Sequence, residues 1–138
     1  MKQEKQELYA ADPALVQALE LRSKPVPCKK GTTLFKQGDA PIGLYILKSG
    51  EANLLMDSRA GRVIMCVNAE PGSLLGLPAI IANEPYTMTA LAQGGSEVRF
   101  VAKGDFEDVI RTEPSLYPMV LQVLAAEVRA ARRAITGN

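Results

Sequence analysis

The middle of the chain, residues 25–101, is a series of short runs in which apolar and polar residues alternate, separated by turn dipeptides. Successive side chains of a β-strand point to opposite faces, so such runs at intervals of roughly eight to twelve residues predict a β-sandwich or barrel. The turn dipeptides are Gly38-Asp39, Ser49-Gly50, Ala60-Gly61, Pro71-Gly72 and Gly94-Gly95. The predicted strands are Thr32–Lys36, Leu44–Lys48, Ala52–Met56, Arg62–Asn68, Met88–Ala92 and Glu97–Val101. Because the second of these strands is apolar on both faces, we expect it to be central and covered on both sides.

A helix is predicted before this region. Asp12-Pro13 has the chemistry of an N-cap followed by a first turn, and Pro25 ends the helical pattern, so the helix should run to about Arg22. The apolar residues at helical spacing are Leu8, Leu15, Val16 and Leu19.

Two further helices are predicted after the strands. We expect Asp105 to cap a short helix and Pro114 to lie in the first turn of a long one. The fold class is therefore mainly β with flanking helices, in one domain with a sizeable core. Its parts are residues 1–24 (N-terminal helical part), 25–103 (β region) and 104–138 (C-terminal helices).

The long C-terminal helix carries apolar residues at i, i+3, i+4 and i+7 spacing for about five turns. A small barrel cannot easily cover a stripe of that length, so we expect it to pair with the same helix of a second subunit; packing against its own domain is the alternative. The expected interface residues are Leu116, Val120, Val123, Leu124, Val128, Ala131 and Ile135.

The chain has no histidine and only two cysteines, Cys28 and Cys66, which lie far apart in sequence. This composition excludes imidazole ligands for zinc, haem or iron, and it excludes Ser-His and Cys-His nucleophile pairs. A thiolate metal cluster is also unsupported, because no second pair of cysteines exists. We therefore predict no metal site, no catalytic residues and no enzymatic activity.

Charge and hydropathy favour no charged partner and no membrane. Lys and Arg total 16 against 15 Asp and Glu, a net charge of +1 at pH 7. The longest apolar runs are broken by Gly and Pro and are shorter than the roughly 20 residues of a membrane span. The polar start, MKQEKQELYA, is unlike a secretory signal, so we expect a cytoplasmic protein.

The order of these parts and the stretch GTTLFKQGDAPIGLYILKSGEANLL resemble the cyclic-nucleotide-binding domain of the catabolite activator and fumarate-nitrate regulator family. The resemblance spans about residues 10–135 and implies a double-stranded β-helix, or jelly-roll, with an N-terminal helix and a long C-terminal helix. Glycines that fix turns in register carry it together with flanking residues, namely Gly31, Phe35, Gly38, Asp39, Tyr45, Ile46, Gly50 and Glu51.

The resemblance also implies a ligand site, from which this chain departs. Family members that bind cyclic nucleotides use a Gly-Glu-Leu stretch, whose Glu accepts from the ribose hydroxyl, and an Arg that pairs with the cyclic phosphate. In this chain Gly76 matches the glycine of that motif, but Leu77 occupies the position of the Glu and Tyr86 occupies the position of the Arg. Pro78, which has no backbone N–H, also removes a donor. No Lys or Arg occurs between Val63 and Val98. The candidate ligand-contacting residues are Gly72, Leu75, Gly76, Leu77, Pro78, Ala79, Tyr86, Thr87, Met88 and Thr89.

We therefore expect no cofactor and no tight binding of cyclic AMP or cyclic GMP, and two alternatives remain for the loop. Either it surrounds an apolar or neutral small ligand, or its apolar side chains fill the core. Those side chains are Leu74, Leu75, Leu77, Ile80, Ile81 and Met88.

The predicted function is that of a stand-alone, dimeric sensor or regulatory module in signal transduction. Because no helix-turn-helix follows the long helix, we expect no direct DNA binding from this chain. One alternative is a functional cyclic-nucleotide-binding regulator of the transcription type, in which Arg62, Arg99 or Arg129 reaches the phosphate. The other is a carboxylate-dependent jelly-roll enzyme, which would need acids such as Glu70, Glu84 and Glu97 to converge.

Overall fold

A computed structural model describes residues 6–8 and 10–136, with side chains for residues 10–133. Its strands are β1 (Gln6–Leu8), β2 (Lys24–Val26), β3 (Thr32–Phe35), β4 (Gly43–Ser49), β5 (Ala52–Asp57), β6 (Val63–Ala69), β7 (Leu74–Leu75), β8 (Thr89–Ala92) and β9 (Glu97–Ala102). Its helices are α1 (Pro13–Glu20), α2 (Leu77–Ala82), α3 (Lys103–Thr112) and α4 (Tyr117–Thr136), and a 3₁₀ turn, Pro114–Leu116, precedes α4.

The strands form two sheets that pack face to face. The five-stranded sheet has the order β1-β6-β5-β8-β3, and the four-stranded sheet has the order β2-β9-β4-β7. In the described part of the chain the pairings are antiparallel, except that β1 pairs with β6 in parallel. This is the predicted mainly β, jelly-roll fold with an N-terminal helix and a long C-terminal helix.

The hydrophobic core has two parts, one on each side of the four-stranded sheet. Tyr45 and Leu47 of β4 pack between the sheets, whereas Leu44 and Ile46 pack against the helices on the other side. The prediction that this strand is central and doubly covered is therefore confirmed. The helical side of the core is formed mainly by Leu15, Leu19, Phe106, Val109, Ile110, Leu116, Val120 and Val123.

Local chemistry sets where several helices begin. Asp12 caps α1, because its Oδ1 accepts from the backbone N–H of Ala14 at 2.9 Å, and Pro13 lies in the first turn as predicted. Asp105 was expected to cap α3, but that helix begins earlier, at Lys103. The Asp105 carboxylate instead accepts from Arg22 at 2.8 Å, which ties α3 to the end of α1.

Two short strands depart from the prediction. Leu8 was assigned to the N-terminal helix, but it lies in β1, where it pairs with Ala69, so the part of the chain before α1 is not wholly helical. The sequence predicts only the end of a helix at Pro25, yet Lys24–Val26 forms β2, which pairs with β9. Pro25 is tolerated there because β2 is an edge strand. A residue without an N–H can face away from the neighbouring strand at such an edge, so no hydrogen bond of the sheet is lost.

Candidate ligand-binding site

A cavity of about 250 Å³ lies between the five-stranded sheet, α2 and α4. Small-molecule sites usually measure about 300–1,000 Å³, so this cavity is slightly smaller than that range. Three methionines line it, and their flexible thioethers adapt to occupants of different shapes. The lining residues are Phe35, Leu54, Met56, Met65, Val67, Gly76, Pro78, Ala79, Tyr86, Thr87, Met88, Leu124, Glu127, Val128, Ala130 and Ala131.

The described lining of this cavity contains no Lys or Arg. Arg99 was one of the arginines that would bind a cyclic phosphate in the alternative of a working cyclic-nucleotide regulator. It is instead held beside the residues that precede β2. Its Nε donates to Ser23 Oγ at 2.6 Å, and its Nη2 donates to the Ser23 carbonyl at 3.2 Å. Arg62 and Arg129 are exposed and do not line the cavity.

Tyr86 is fixed in the position where the family resemblance places an arginine. Its hydroxyl donates to the carbonyl of Gly43 at 2.6 Å and accepts from the backbone N–H groups of Ile42 and Gly43, each at 3.2 Å. Its ring stacks on Phe35, with centroids 4.0 Å apart and an interplanar angle of 17°. The ring therefore forms a wall of the cavity while the hydroxyl is engaged by β4.

Gly76 lets α2 begin directly beside this ring. It has φ of 90°, and a Cβ at this position would lie 2.9 Å from Cε1 of Tyr86. Both observations require glycine, because other residues rarely adopt this backbone conformation and no space exists for a side chain. Leu77, which follows, is fully buried with the helical side of the core rather than in the cavity.

Six of the predicted ligand-contacting residues line the cavity: Gly76, Pro78, Ala79, Tyr86, Thr87 and Met88. The other four do not. Leu75 and Leu77 are core residues, Gly72 lies beside Ala10, and the Thr89 hydroxyl accepts from the backbone N–H of Gln37 at 3.0 Å.

The apolar side chains of the loop divide between the two alternatives left open for them. Leu74, Leu77 and Ile80 pack with the helices, and Leu75 packs between the sheets, so these four fill the core. Ile81 is exposed, and Met88 lines the cavity.

Glu127 of α4 lies in the cavity wall and was not among the predicted site residues. Its Oε2 atom is buried and has no hydrogen-bond partner among the described residues. Burial raises the pKa of this carboxyl to about 8. The sequence carries a signal for it, since Glu127 continues the spacing of Leu116, Val120 and Val123 along one helix face.

The predicted interface residues of α4 lie on two faces rather than one. Leu116, Val120 and Val123 are buried in the chain's own core, so in this conformation they cannot contact a second subunit, and their assignment to an interface is corrected. Leu124, Val128 and Ala131 line the cavity, and Val128 is also 55% exposed. The side chain of Ile135 lies outside the described residues.

A second line of apolar residues on α4 is partly exposed and partly borders the cavity. Tyr117 is 51% exposed and Leu121 is 63% exposed. With Leu124 and Val128 they follow alternating spacings of four and three residues, the pattern of the a and d positions of a coiled coil. We call these four residues, with Ala131, the α4 seam.

The described residues give little support to a carboxylate-dependent active site, a metal site or a membrane-spanning helix. Glu70, Glu84 and Glu97 are all exposed and lie on separate parts of the chain. No cluster of Cys, Asp or Glu suited to a metal ion occurs among the described residues, and Cys28 and Cys66 are both free. Among those residues, no helix combines the length and apolar character needed to span a bilayer.

Residues 25–113 match the model of the cyclic nucleotide-binding domain family. The chain belongs to this family. Among curated relatives of this cyclic nucleotide-binding domain, patatin-like phospholipase domain-containing protein 6 of Homo sapiens is 30% identical over 102 residues, which cover 72% of this chain and 7% of that protein. The CRP-like cAMP-activated global transcriptional regulator of Mycobacterium tuberculosis is 28% identical over 120 residues, which cover 86% of this chain and 53% of the regulator.

A solved structure extends the likeness of this cyclic nucleotide-binding domain to three dimensions. The catabolite activator protein of Thermus thermophilus superposes with a TM-score of 0.66 at 26% identity, covering 88% of this chain and 55% of that one. The domain thus spans about half the length of the two bacterial regulators, and a much smaller share of the human protein.

Proposed function

We propose that this domain is a dimeric regulatory module in signal transduction whose cavity takes an apolar or neutral small molecule in place of tightly bound cyclic AMP or cyclic GMP. Its similarity to bacterial transcriptional regulators supports the regulatory role. The observation that carries the choice of ligand is the lining of the cavity: Tyr86 stands at the position of the family's arginine, and no described lining residue is cationic.

The electrostatic cost of a cyclic phosphate in this cavity is large. Charge-assisted hydrogen bonds are roughly twice as strong as neutral ones, and removing one partner of a buried ion pair costs about 3–5 kcal/mol. Since about 1.4 kcal/mol corresponds to a factor of ten, losing the arginine weakens affinity by about 10²- to nearly 10⁴-fold. Tyr86 offers no compensating donor, because its hydroxyl already donates to Gly43.

The output would be a change in the packing of α4. Leu124, Val128 and Ala131 line the cavity, so an occupant contacts the helix that carries the α4 seam. This output would require a second arrangement of α4, and a ligand shifts the equilibrium between two arrangements only by its different affinity for them.

A homodimer through the α4 seam would cover its exposed apolar residues. Tyr117, Leu121 and Val128 are each more than half exposed in the single chain. Their heptad spacing matches a second copy of the same helix, and a two-fold axis brings the same surface of each subunit together.

Calorimetry with cyclic AMP and cyclic GMP tests the choice of ligand. We expect dissociation constants weaker than about 0.1 mM at low and at moderate salt. Micromolar binding that weakens in an Arg62→Gln or Arg129→Gln variant would instead establish a working cyclic-nucleotide receptor.

Sedimentation of a Leu121→Glu variant tests the dimer. We expect this variant to be monomeric, because it places a charge in the seam, and we expect Gln122→Glu, which adds the same charge beside the seam, to stay dimeric. A Val123→Glu variant is unsuitable, since Val123 is fully buried within its own chain. An unchanged mass for Leu121→Glu would rule out this interface.

A further inference from the structure

Glu127 is the one ionisable carboxylate in the described wall of the cavity, and nothing in that wall neutralises it. Its Oε2 is buried without a hydrogen-bond partner among the described residues. A buried polar atom without a partner is costly, because it has lost its hydrogen bonds to water and gained none in exchange. Such an atom, facing an otherwise apolar cavity, is a preformed acceptor for a group that the protein itself does not supply.

The surroundings of Glu127 leave it without an internal partner. The cavity wall comes from β3, β5, β6, α2, the segment 86–88 and α4 itself, and Tyr86 is the other titratable side chain in the described part of it. The Tyr86 hydroxyl is engaged by the backbone of β4. Strand β1 also contacts α4 and carries Glu7, whose side chain lies outside the described residues. No cation therefore faces Glu127 from the described lining.

The remaining surfaces of the cavity set the shape of the occupant. Phe35 and Tyr86 present stacked rings, and Met56, Met65 and Met88 add polarizable thioethers. Aromatic rings and thioethers make favourable contacts with an aromatic guest. At about 250 Å³ the cavity suits a compact molecule with one polar group.

We infer that the cavity binds compact apolar amines, whose ammonium group donates to the Glu127 carboxylate while the apolar body fills the space among the methionines and aromatic rings. This inference rests on the proposed function, in which a cyclic nucleotide does not occupy the site, and it adds the chemical class of the ligand. In its ionised form the Glu127 carboxylate attracts a cation and repels an anion, whereas a neutral isostere of the amine makes only one weaker hydrogen bond with it.

Amine binding should be linked to pH. Glu127 must lose its proton to pair with an ammonium group, and burial raises its pKa to about 8. Between pH 6.5 and pH 7.5 the affinity for an amine should therefore increase by up to about tenfold, whereas the affinity for an alcohol should not change.

Three naphthalene probes of nearly equal size test the inference by calorimetry on the full chain at pH 7.5. They are 1-naphthylmethylamine, 1-naphthalenemethanol and 1-naphthoate, which carry a cation, a neutral hydroxyl and an anion. We expect the amine to bind at least about tenfold more tightly than the alcohol, and the carboxylate to bind most weakly.

Two variants separate the role of Glu127 from general effects of charge. Glu127→Gln keeps the shape of the side chain, and we expect it to bind amine and alcohol within about threefold of each other, with its alcohol affinity unchanged. Glu107→Gln removes an acid from the exposed face of α3 and should behave like the natural chain.

The outcomes distinguish this inference from the proposed function. If the alcohol binds as tightly as the amine, or if the amine preference persists in Glu127→Gln, the ligand class is wrong and a neutral or apolar occupant still stands. If none of the three probes binds, the cavity is not a small-molecule site of this kind, so this inference and the ligand part of the proposed function both fail, and only the proposed dimer still stands.

Discussion

We predict that Glu127 makes the free energy of unfolding depend on pH between about pH 5.5 and 7.5. Burial raises the pKa of its carboxyl from an ordinary 4.5 to about 8. Replacing it with Gln keeps the size of the side chain and removes the titration. Comparing the two proteins across pH therefore isolates one carboxyl.

The sign follows from which state binds the proton. Between the unfolded pKa of about 4.5 and the folded pKa of about 8, the folded chain holds a proton that the unfolded chain has lost. The free energy of unfolding therefore falls as pH rises through this window. The contribution of the protonated Glu127 carboxyl to stability is fully present only below the unfolded pKa. One proton corresponds to about 1.4 kcal/mol per pH unit, so we expect the natural chain to lose about 2–3 kcal/mol between pH 5.5 and 7.5.

The chain is well suited to this measurement because it has no histidine. Ordinary carboxylates titrate below this window, and cysteine and the terminal amine titrate at or above its upper edge. Urea denaturation at half-unit steps of pH gives the free energy of unfolding. Glu127→Gln should vary by less than about 0.5 kcal/mol over the same range.

The matched controls are Glu7→Gln, on the strand that contacts α4, and Glu107→Gln, on the exposed face of α3. Both should keep the pH dependence of the natural chain. Parallel curves for the natural chain and Glu127→Gln would show that this carboxyl is not the source, and a flat curve for the natural chain would show that its pKa is not raised in solution.

Two further predictions concern the packing around the cavity. Tyr86→Phe leaves the carbonyl and N–H of Gly43 without the hydroxyl that they bond, so it should lower the free energy of unfolding by about 1–3 kcal/mol, whereas the exposed Tyr117→Phe should change it by less than about 0.5 kcal/mol in the same urea titration. Gly76→Ala should cost about 1–3 kcal/mol. It should cost more than Gly38→Ala, because both glycines have positive φ but only Gly76 lies against a ring; equal losses would mean that the contact with Tyr86 does not matter.

The parts of the fold that local sequence determines were predicted well. Alternation of apolar residues and flanking turn glycines placed β4, predicted as Leu44–Lys48 and observed as Gly43–Ser49. The Asp12 cap likewise placed the start of α1. In both cases the decisive chemistry lies within a few residues of the element itself.

Elements that exist only through distant partners were missed. Three residues are too few to show a period, so Gln6–Leu8 became a strand only because β6 offers it a parallel partner. Leu74–Leu75 is shorter still and is defined by its pairing with Tyr45 and Ile46. Neither pairing leaves a mark in the sequence around the strand.

The candidate site was predicted on one side only. The loop side, including Tyr86 and Met88, followed from the resemblance and from the missing arginine. The opposite wall comes from Leu54 and Val67 on β5 and β6 and from α4, where an apolar residue facing a cavity has the same sequence pattern as one facing a filled core. Glu127 was different, because an acid on an otherwise buried helical stripe was visible in the sequence.

In the proposed dimer, the second half of α4 would serve both the cavity and the subunit interface, because Leu124, Val128 and Ala131 line the cavity and also belong to the α4 seam. The first half of α4 is packed in the core through Leu116, Val120 and Val123. We therefore expect ligand binding to move that half very little. Glu127 and Ala131 lie farther along, where the helix covers the cavity. In the proposed complex, an occupant that pairs with the Glu127 carboxylate would act on this second half, and Val128 would transmit a shift to the subunit interface because it both lines the cavity and lies in the α4 seam. Ligand chemistry at one carboxyl and pairing between two helices would thus be coupled through less than two turns of helix.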